Sequence, residues 1–285
     1  MELQWINALQ SLNTPFWDRF FIGVTMLGEE YFYILVLGFF YWCINKEEVR
    51  YLVMVITFSS VVNGALKEIV NSPRPFMVEE VRALRTETAH GSSFPSGHVQ
   101  IVASFYGALA HRYKKVWLWL IACVVVILVG LSRVYLGVHW PRDVVGGIIF
   151  AVLSIFIISR MELYEKRQGV SWPYFILFAL VVLSMFLLKS ETYIKATGAF
   201  LGFMMGYLVE DYYVKFDVRN GLFGQLLKFI LGIALTLAIF EGLKAVLPDS
   251  NLFVFIRYFA TIFSVAAIIP WIFTKIGLSR RHMFI

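Results

Sequence analysis

Three short stretches of the sequence place cations, histidines and a carboxylate beside apolar runs long enough to form helices. Ionisable side chains are costly at membrane depth and are therefore functional candidates. Several nearby cations repel one another unless they share an anion, and guanidinium and ammonium groups are common partners of phosphate oxygens. The combination predicts a site for a phosphate ester. In chain order the stretches are KEIVNSPRP with Lys67 and Arg74, FPSGHVQ with Ser96, Gly97 and His98, and SRVYLGVHWPRD with Arg133, His139 and Asp143.

The FPSGHVQ stretch predicts a helix that begins at the phosphate. The first N–H groups of a helix have no partner inside the helix and lie at the positive end of its dipole, so a helix N-terminus attracts anions. Ser96 can cap the helix, Gly97 lets an anion approach the backbone, and His98 projects from the first turn. We therefore expect Ser96 and Gly97 to bind the phosphate together with the three cations.

The two histidines have different neighbours, which predicts different roles. Asp143 follows His139 by four residues, and Pro141 suits the first position of the intervening helix. A carboxylate in the first helical turn can orient one imidazole nitrogen and leave the other free to attack phosphorus. His98 has no carboxylate nearby in sequence and fits the general acid that protonates the leaving group.

These motifs together resemble a known family. The ordered set K-x6-R-P, P-S-G-H and S-R-x5-H-x3-D is similar to the signature of the type 2 phosphatidic acid phosphatases, which share their site with vanadium haloperoxidases. The resemblance covers residues 50–160. It implies hydrolysis of a lipid phosphate or diphosphate through a phosphohistidine, with no metal and no cofactor. The matched positions are Lys67, Arg74, Pro75, Pro95, Ser96, Gly97, His98, Ser132, Arg133, His139 and Asp143.

The composition places the motifs in a membrane protein. The chain has 285 residues, of which 59% are hydrophobic and 15% charged, outside the range of soluble domains. A helix needs about 20 apolar residues to cross a bilayer. We predict an all-α, polytopic helical bundle with about nine spans, and alternating helix direction then brings the three motifs to one side, here named the active face. The predicted spans are 31–45, 49–70, 97–113, 116–132, 142–160, 173–189, 193–210, 222–245 and 252–275.

The segments before and after the motifs have separate predicted roles. Residues 1–27 lack the features of a cleavable signal peptide and read as interfacial helices anchored by Trp5 and Trp17. Residues 1–160 form the predicted catalytic core, and residues 161–285 form a C-terminal helical extension. The two cysteines fall inside predicted spans and suggest neither a disulfide nor a zinc site.

The positions of the basic residues indicate how the chain is oriented in the membrane. A net charge of +6 would suggest nucleic acid for a soluble protein, but here lysines and arginines mostly flank spans, and no nucleic-acid partner is predicted. More of them flank the face opposite the active face. The positive-inside tendency therefore predicts a cell-membrane protein with an external active face and a cytoplasmic C-terminus. Lys228 and Arg257 lie deeper in predicted spans and are interpreted as snorkelling side chains.

Some features allow simpler interpretations. Gly198, Gly202 and Gly206 share one helix face and predict close helix packing. We favour packing inside the chain and keep a homo-oligomer through this stripe as the alternative. Single cations of the motifs could snorkel, Ser96 and Asp143 could be ordinary helix caps, and three further histidines are interpreted as solvated, although the first lies on the active-face loop. These histidines are His90, His111 and His282.

The predicted site is compatible with several substrates. Undecaprenyl pyrophosphate, phosphatidylglycerophosphate and phosphatidic acid all fit, and an external site favours the first. A lipid phosphotransferase would use the same residues. A non-enzymatic lipid transporter or scramblase would explain the cations, but it would give no reason for two histidines or for Asp143 four residues after His139.

Overall fold

The computed structural model describes residues 1–89 and 91–281. The predicted all-α architecture is confirmed, since the described residues form helices and the one β-interaction among them is an isolated bridge between Phe216 and Arg281. The α-helices are α1 Glu2–Gln10, α2 Pro15–Thr25, α3 Glu30–Cys43, α4 Lys46–Val70, α5 Gly97–Tyr113, α6 Val116–Tyr135, α7 Pro141–Gln168, α8 Trp172–Ser184, α9 Glu191–Val209, α10 Leu222–Val246, α11 Asn251–Phe263 and α12 Ile269–Lys275.

Every predicted span contains a helix, but the count of nine spans is not confirmed. Within the described residues, five helical segments are long and apolar enough to cross a membrane, and a sixth results if the bent pair Pro15–Gly28 and Glu30–Cys43 is one broken span. Helices α5 and α8 have 17 and 13 residues, which is short for a bilayer core. The five segments are Lys46–Met77, Val116–Tyr135, Pro141–Gln168, Leu222–Val246 and Asn251–Lys275.

The chain forms two compact units. Unit 1 comprises Met1–Phe32 and Ser59–Tyr164, and unit 2 comprises Tyr33–Phe58 and Glu165–Ile285. The sequence predicts a catalytic core that ends at residue 160 and an extension that follows it. In the structure, residues 33–58 of the predicted core belong instead to unit 2, together with the extension. The assignment of roles to the two parts of the chain stays a prediction.

Unit 1 is built on the packing of α5, α6 and α7. Val99, Val102, Val129 and Ala151 are fully buried in one cluster at their centre. At Gly147 the backbone of α7 comes so close to the start of α5 that a Cβ atom would lie 2.9 Å from the carbonyl oxygen of Ser96. This close approach brings the second and third motifs together.

The N-terminal helices belong to unit 1. Ile6 of α1 is fully buried with Val81 and Val134, and Thr25 of α2 is also fully buried. Trp5 is exposed, as expected of an interfacial anchor. Helices α1 and α2 therefore cover part of unit 1, and their position in the membrane interface stays a prediction.

In unit 2 the glycine stripe packs against α11 of the same chain. A Cβ atom at Gly198 would lie 2.8 Å from the carbonyl oxygen of Phe255, and one at Gly206 would lie 2.9 Å from the carbonyl oxygen of Phe263. All three glycines are buried. The stripe is therefore occupied within the chain. The alternative of a homo-oligomer through Gly198, Gly202 and Gly206 does not fit this packing, because the chain itself covers that helix face.

Two cations of unit 2 do not snorkel. Lys228 is 0% exposed, and its Nζ donates to the carbonyl oxygens of Trp42 at 3.0 Å and Val218 at 2.6 Å. Arg257 is buried and donates to Asp249 at 3.0 Å. Both side chains bind groups of the protein because backbone carbonyls and a carboxylate lie within reach, which sequence alone does not reveal.

Candidate active site

The predicted site residues all lie in unit 1, and contacts join the three motifs. Lys67 closes α4 and donates from Nζ to the carbonyl oxygen of Ser92 at 2.9 Å, and Arg74 donates from Nη2 to the same oxygen at 3.2 Å. Arg74 also reaches the third motif, with Nη1 3.3 Å from Nε2 of His139. The backbone N–H of Ser96 donates to the carbonyl oxygen of Asp143 at 3.0 Å. The motifs therefore converge on one place.

The two arginines of the site are held by different parts of unit 1. Arg74 is 3% exposed and donates to the carbonyl oxygens of Gly91 and Val138, both at 2.9 Å. Arg133 is 0% exposed and donates from Nη1 to Oγ1 of Thr25 at 2.9 Å. Such burial fixes the planar guanidinium groups in position. A snorkelling role for Arg133 is wrong, since its side chain does not reach solvent.

Several buried polar atoms of the site have no hydrogen-bond partner within the described part of the chain. Buried polar groups are normally hydrogen-bonded, so an unpaired group needs a reason. A bound phosphate would supply acceptor oxygens to the donors among these groups. The donors are Oγ of Ser96, Nε2 of His98, and Nε and Nη2 of Arg133, and the acceptor Oδ1 of Asp143 is also without a partner there.

Ser96 is the residue before α5, but its hydroxyl does not cap the helix. No side-chain cap hydrogen bond is formed there, and α5 begins at Gly97. The interpretation of Ser96 as an ordinary cap is therefore wrong. Its hydroxyl and the first N–H groups of α5 form a group of donors without a carboxylate partner, which is a suitable arrangement for an anion.

His139 is oriented at both ring nitrogens. Nδ1 lies 3.4 Å from Oδ2 of Asp143, and Nε2 faces Nη1 of Arg74. The same carboxylate oxygen accepts hydrogen bonds from the hydroxyl of Ser93 and from the backbone N–H of Trp140 at 2.8 Å. Because an arginine can only donate, the contacts assign the proton to Nδ1 and the lone pair to Nε2.

The surroundings of His139 favour its neutral form. Burial, together with the nearby cations Arg133, Arg74 and Lys67, holds the pKa of His139 well below its usual range. Removing an imidazole from water and placing it beside positive charges both disfavour a further proton. A neutral imidazole keeps the Nε2 lone pair that a nucleophile needs.

His98 packs against the end of the N-terminal helical segment. A Cβ atom at Gly28 would lie 2.8 Å from Cβ and 2.9 Å from Cδ2 of His98. The neighbouring Glu29 pairs with Arg85, and Thr25 holds Arg133. From its sequence this segment is expected only to lie in the interface, so its part in the site was missed. The available signal was a glycine followed by two acidic residues between apolar stretches.

A buried polar network behind the site was also missed. The side-chain amide of Asn63 donates to the carbonyl oxygen of Pro95 at 3.3 Å and to Oε1 of Gln100 at 2.8 Å. Gln100 in turn donates to Oγ of Ser59 at 2.9 Å. Ser59, Asn63 and Lys67 are spaced by four residues on α4, so they share one helix face. This spacing was the signal that could have revealed the network.

Two of the three further histidines, His90 and His282, fall outside the described part of the chain. The third, His111, is exposed. Arg142 is half exposed and pairs with Glu2 at 3.2 Å. A pocket of about 450 Å³ next to Arg142 is lined by Val70, Asn71, Ser72, Pro73 and Phe94.

The helical membrane fold and the cation-lined histidine site define a class of membrane phosphatase, and comparisons with known proteins identify the family. The family model described as PAP2 superfamily matches residues 48–167, and the model described as PAP2 superfamily phosphatase, transmembrane extension, matches residues 194–281. The chain belongs to the PAP2 superfamily. The resemblance inferred from the three motifs is confirmed, and the protein is a membrane lipid phosphatase.

Each of the relatives described next matches about half of this chain. Phosphatidylglycerophosphatase B of Bacillus subtilis is 32% identical over 181 residues, covering 56% of this chain and 83% of that protein. Undecaprenyl-diphosphatase of Sulfolobus acidocaldarius is 29% identical, covering 50% of this chain and 68% of that protein. The crystal structure of Aquifex aeolicus LpxE has a TM-score of 0.50 at 29% identity, covering 56% of this chain and 94% of that chain. Three other curated relatives are covered over only 39–56% of their length.

Proposed function

We propose that His139 is the nucleophile of this phosphatase and that it forms a phosphohistidine with the phosphoryl group of a membrane lipid. The observation that carries the proposal is the position of His139, with Nδ1 facing Asp143 and Nε2 facing Arg74 at 3.3 Å. A lipid transporter would need the cations but would have no use for an oriented, neutral imidazole among them.

In the first step the cations and the start of α5 hold the phosphoryl group. Lys67, Arg74 and Arg133 surround its oxygens, and Ser96 and Gly97 add donors from the helix N-terminus. Nε2 of His139 attacks phosphorus, so a nitrogen–phosphorus bond forms while the bond from phosphorus to the leaving oxygen breaks. His98 gives its proton to the leaving oxygen, and Asp143 stabilises the positive charge that develops on His139.

In the second step water releases the phosphate. His98, now without its proton, accepts one from the attacking water, and the water oxygen bonds to phosphorus as the nitrogen–phosphorus bond breaks. His139 recovers its lone pair and His98 recovers its proton. The cycle yields inorganic phosphate together with the lipid alcohol from a monophosphate or the lipid phosphate from a diphosphate, and none of its steps uses a metal ion.

We infer that the substrate is a lipid phosphate or diphosphate that enters from the bilayer with its headgroup toward the cations. Relatives named phosphatidylglycerophosphatase and undecaprenyl-diphosphatase support this range. The charge bias of the loops supports an active site on the external face of the cell membrane and a cytoplasmic C-terminus. An external site favours undecaprenyl pyrophosphate over phosphatidylglycerophosphate and phosphatidic acid.

The test is phosphate release by the purified protein in detergent micelles, with prenyl diphosphate, phosphatidylglycerophosphate and phosphatidic acid offered separately. His139→Ala should lower release by about 10⁴-fold or more, since a triad-like unit fails when its nucleophile is lost. The control is His111→Ala, which removes an exposed histidine outside the site and should leave release unchanged.

Wild-type turnover in His139→Ala would exclude the proposed nucleophile. Analysis of the products with a labelled phosphoryl group separates hydrolysis from transfer. A new phosphorylated lipid or sugar in place of free phosphate would identify a phosphotransferase.

A further inference from the structure

The leaving group of the proposed reaction lies on the side of the site that contains His98. In an in-line displacement the attacking and leaving atoms stand on opposite sides of phosphorus. With His139 as the nucleophile and His98 as the proposed acid for the leaving oxygen, the remainder of the lipid lies on the side of His98. For a lipid monophosphate the leaving group is an alcohol, but for a diphosphate it is a lipid phosphate with its own negative charge. A cation beside His98 would favour the second kind of substrate.

Arg85 is a cation in this position. His98 packs against Gly28 so closely that a Cβ atom on the glycine would lie 2.8 Å from Cβ of His98. The next residue, Glu29, accepts a hydrogen bond from Nη2 of Arg85. The Arg85 side chain also donates from Nη1 to the carbonyl oxygen of Ile22 at 3.4 Å. The Arg85–Glu29 pair is therefore attached to the same short segment that bounds His98.

The pair is mostly shielded from solvent. The side chains of Arg85 and Glu29 are 18% and 19% exposed. An ion pair in such a place is screened less than one on an open surface. A phosphate that reaches Arg85 would therefore gain more from it than from an exposed cation.

The backbone holds Arg85 in an unusual conformation. Its φ is +57°, in the left-handed region that residues other than glycine seldom adopt. The preceding residue, Leu84, donates from its N–H to the carbonyl oxygen of Leu136 at 3.0 Å. This bond attaches the loop that contains Arg85 to the end of α6, at a residue three positions after Arg133. Unfavourable backbone conformations persist where the surrounding structure fixes them, and here the result is a positioned guanidinium.

We propose that Arg85 forms a second phosphate subsite, which binds the non-reacting phosphate of a lipid diphosphate on the leaving-group side of His98. This inference rests on the proposed function, because it takes His139 as the nucleophile. A guanidinium pairs with carboxylate and with phosphate through the same planar fork. Glu29 is the counter-ion of Arg85 when the substrate carries a single phosphate, and the second phosphate of a diphosphate replaces it.

The experiment compares a prenyl diphosphate with the prenyl monophosphate of the same chain length. For each, kcat/KM is measured on the full-length protein in detergent micelles. Arg85→Gln should lower kcat/KM for the diphosphate by about tenfold or more relative to the monophosphate, the usual size of a lost charged hydrogen bond. Glu29→Gln should shift the ratio the other way, because it removes a competing negative charge.

Arg82→Gln is the matched control. Arg82 lies on the same loop and also pairs with a carboxylate, that of Asp18. Its loss should leave the ratio of the two substrates at the wild-type value. An equal loss on both substrates in Arg85→Gln, with a normal ratio in Glu29→Gln, would mean that the pair only supports the structure and would overturn the subsite.

The same series distinguishes failure of the subsite from failure of the proposed function. If Arg85→Gln does not fold, Arg85→Lys and Glu29→Gln carry the test, and wild-type ratios in both would overturn the subsite. The absence of phosphate release from either lipid by the wild type would overturn the proposed function and the subsite together. Normal activity in His139→Ala would do the same.

Discussion

His139 is buried and His98 half-buried near the same cations, yet their contacts suit different tasks. His139 is held at both ring nitrogens, by Asp143 and Arg74. Nε2 of His98 has no hydrogen-bond partner among the described residues, and its ring packs against Gly28. A histidine held at both nitrogens is oriented for attack before the substrate binds. A histidine with an unpaired nitrogen can instead direct that nitrogen toward the leaving oxygen.

The lowered pKa of His139 predicts a loss of stability in acid. The unfolded chain has a histidine with a pKa of about 6.5, whereas the folded chain holds His139 neutral well below that pH. As the pH falls through about 6.5, the unfolded form gains a proton that the folded form does not, and the free energy of unfolding decreases. The midpoint of thermal unfolding in detergent should therefore fall between pH 7.5 and pH 5.5 by less in His139→Gln than in the wild type.

His111→Gln provides the comparison for this prediction. His111 is exposed, so its loss should leave the pH dependence of the wild type intact. Equal losses of stability in the wild type and His139→Gln would contradict a neutral, buried His139.

At the residue scale, the chemistry was predictable and its surroundings were not. Cations, two histidines and an aspartate at fixed spacings identify phosphate chemistry because few other functions require that set. Ser93, which donates to Asp143, and Thr25, which accepts from Arg133, lie 50 and 108 residues from their partners. Neither has a local pattern that links it to the site, since ordinary serines and threonines are common in helices and loops.

At the scale of helices, α4 and α5 form the back of the site. Asn63 and Gln100 connect the two helices and hold the carbonyl oxygen of Pro95, next to Ser96. Each partner in such a buried network depends on the others, because an unpaired polar group in a low-dielectric interior is costly. The network therefore fixes the start of α5 relative to the end of α4, where Lys67 lies.

The packing of α9 against α11 predicts a large effect of a small substitution. A Cβ atom at Gly202 would overlap the carbonyl oxygen of Phe259 and lie 3.0 Å from its Cα. Gly202→Ala should therefore force the two helices apart and lower the free energy of unfolding by about 1–3 kcal/mol, the usual cost of overpacking. Thermal unfolding in detergent measures the effect.

Gly242→Ala is the control for this substitution. Gly242 lies in α10 of the same unit, and a Cβ atom there would meet nothing within 4 Å. Its replacement should be neutral or slightly stabilising, because alanine favours a helix more than glycine does. A Gly202→Ala protein as stable as Gly242→Ala would contradict close packing at the stripe.

The helices were easier to predict than the spans. Apolar runs of the right length located most helices within a few residues, because hydrophobic periodicity and length report burial directly. The exceptions include α7, which continues to Gln168 beyond the predicted end at residue 160. The number of spans was harder, because a helix covered by its neighbours inside a unit can be as apolar as one in lipid. Helix α5 has nine of its 17 residues buried, whereas the short apolar helix α8 has two of its 13 residues buried. The folded chain shows which apolar helices are covered by their neighbours.

At the scale of the whole molecule, the orientation in the membrane can be tested directly. Met77 lies on the loop after Arg74 and is exposed, and Lys166 is exposed near the other end of α7. The 28 residues of α7 extend for about 42 Å, more than the thickness of a bilayer core. In a protein without its native cysteines, Met77→Cys should react with an impermeant maleimide on intact cells, and Lys166→Cys should react only after permeabilisation.

The reverse labelling pattern would place the active face in the cytoplasm. The catalytic steps proposed for His139 and His98 would then still apply, but the preference for undecaprenyl pyrophosphate would lose its support. Positive-inside bias is a statistical tendency of loops, and the labelling experiment replaces it with an observation.

The family match begins at residue 48, whereas Gly28, which packs against His98, and Glu29, which pairs with Arg85, precede it. The residues proposed to transfer phosphate and the segment proposed to border the departing lipid therefore come from different stretches of the gene. Mutation can reshape the border without altering the chemistry, so a chain of this design can acquire a new lipid preference while its reaction remains the same.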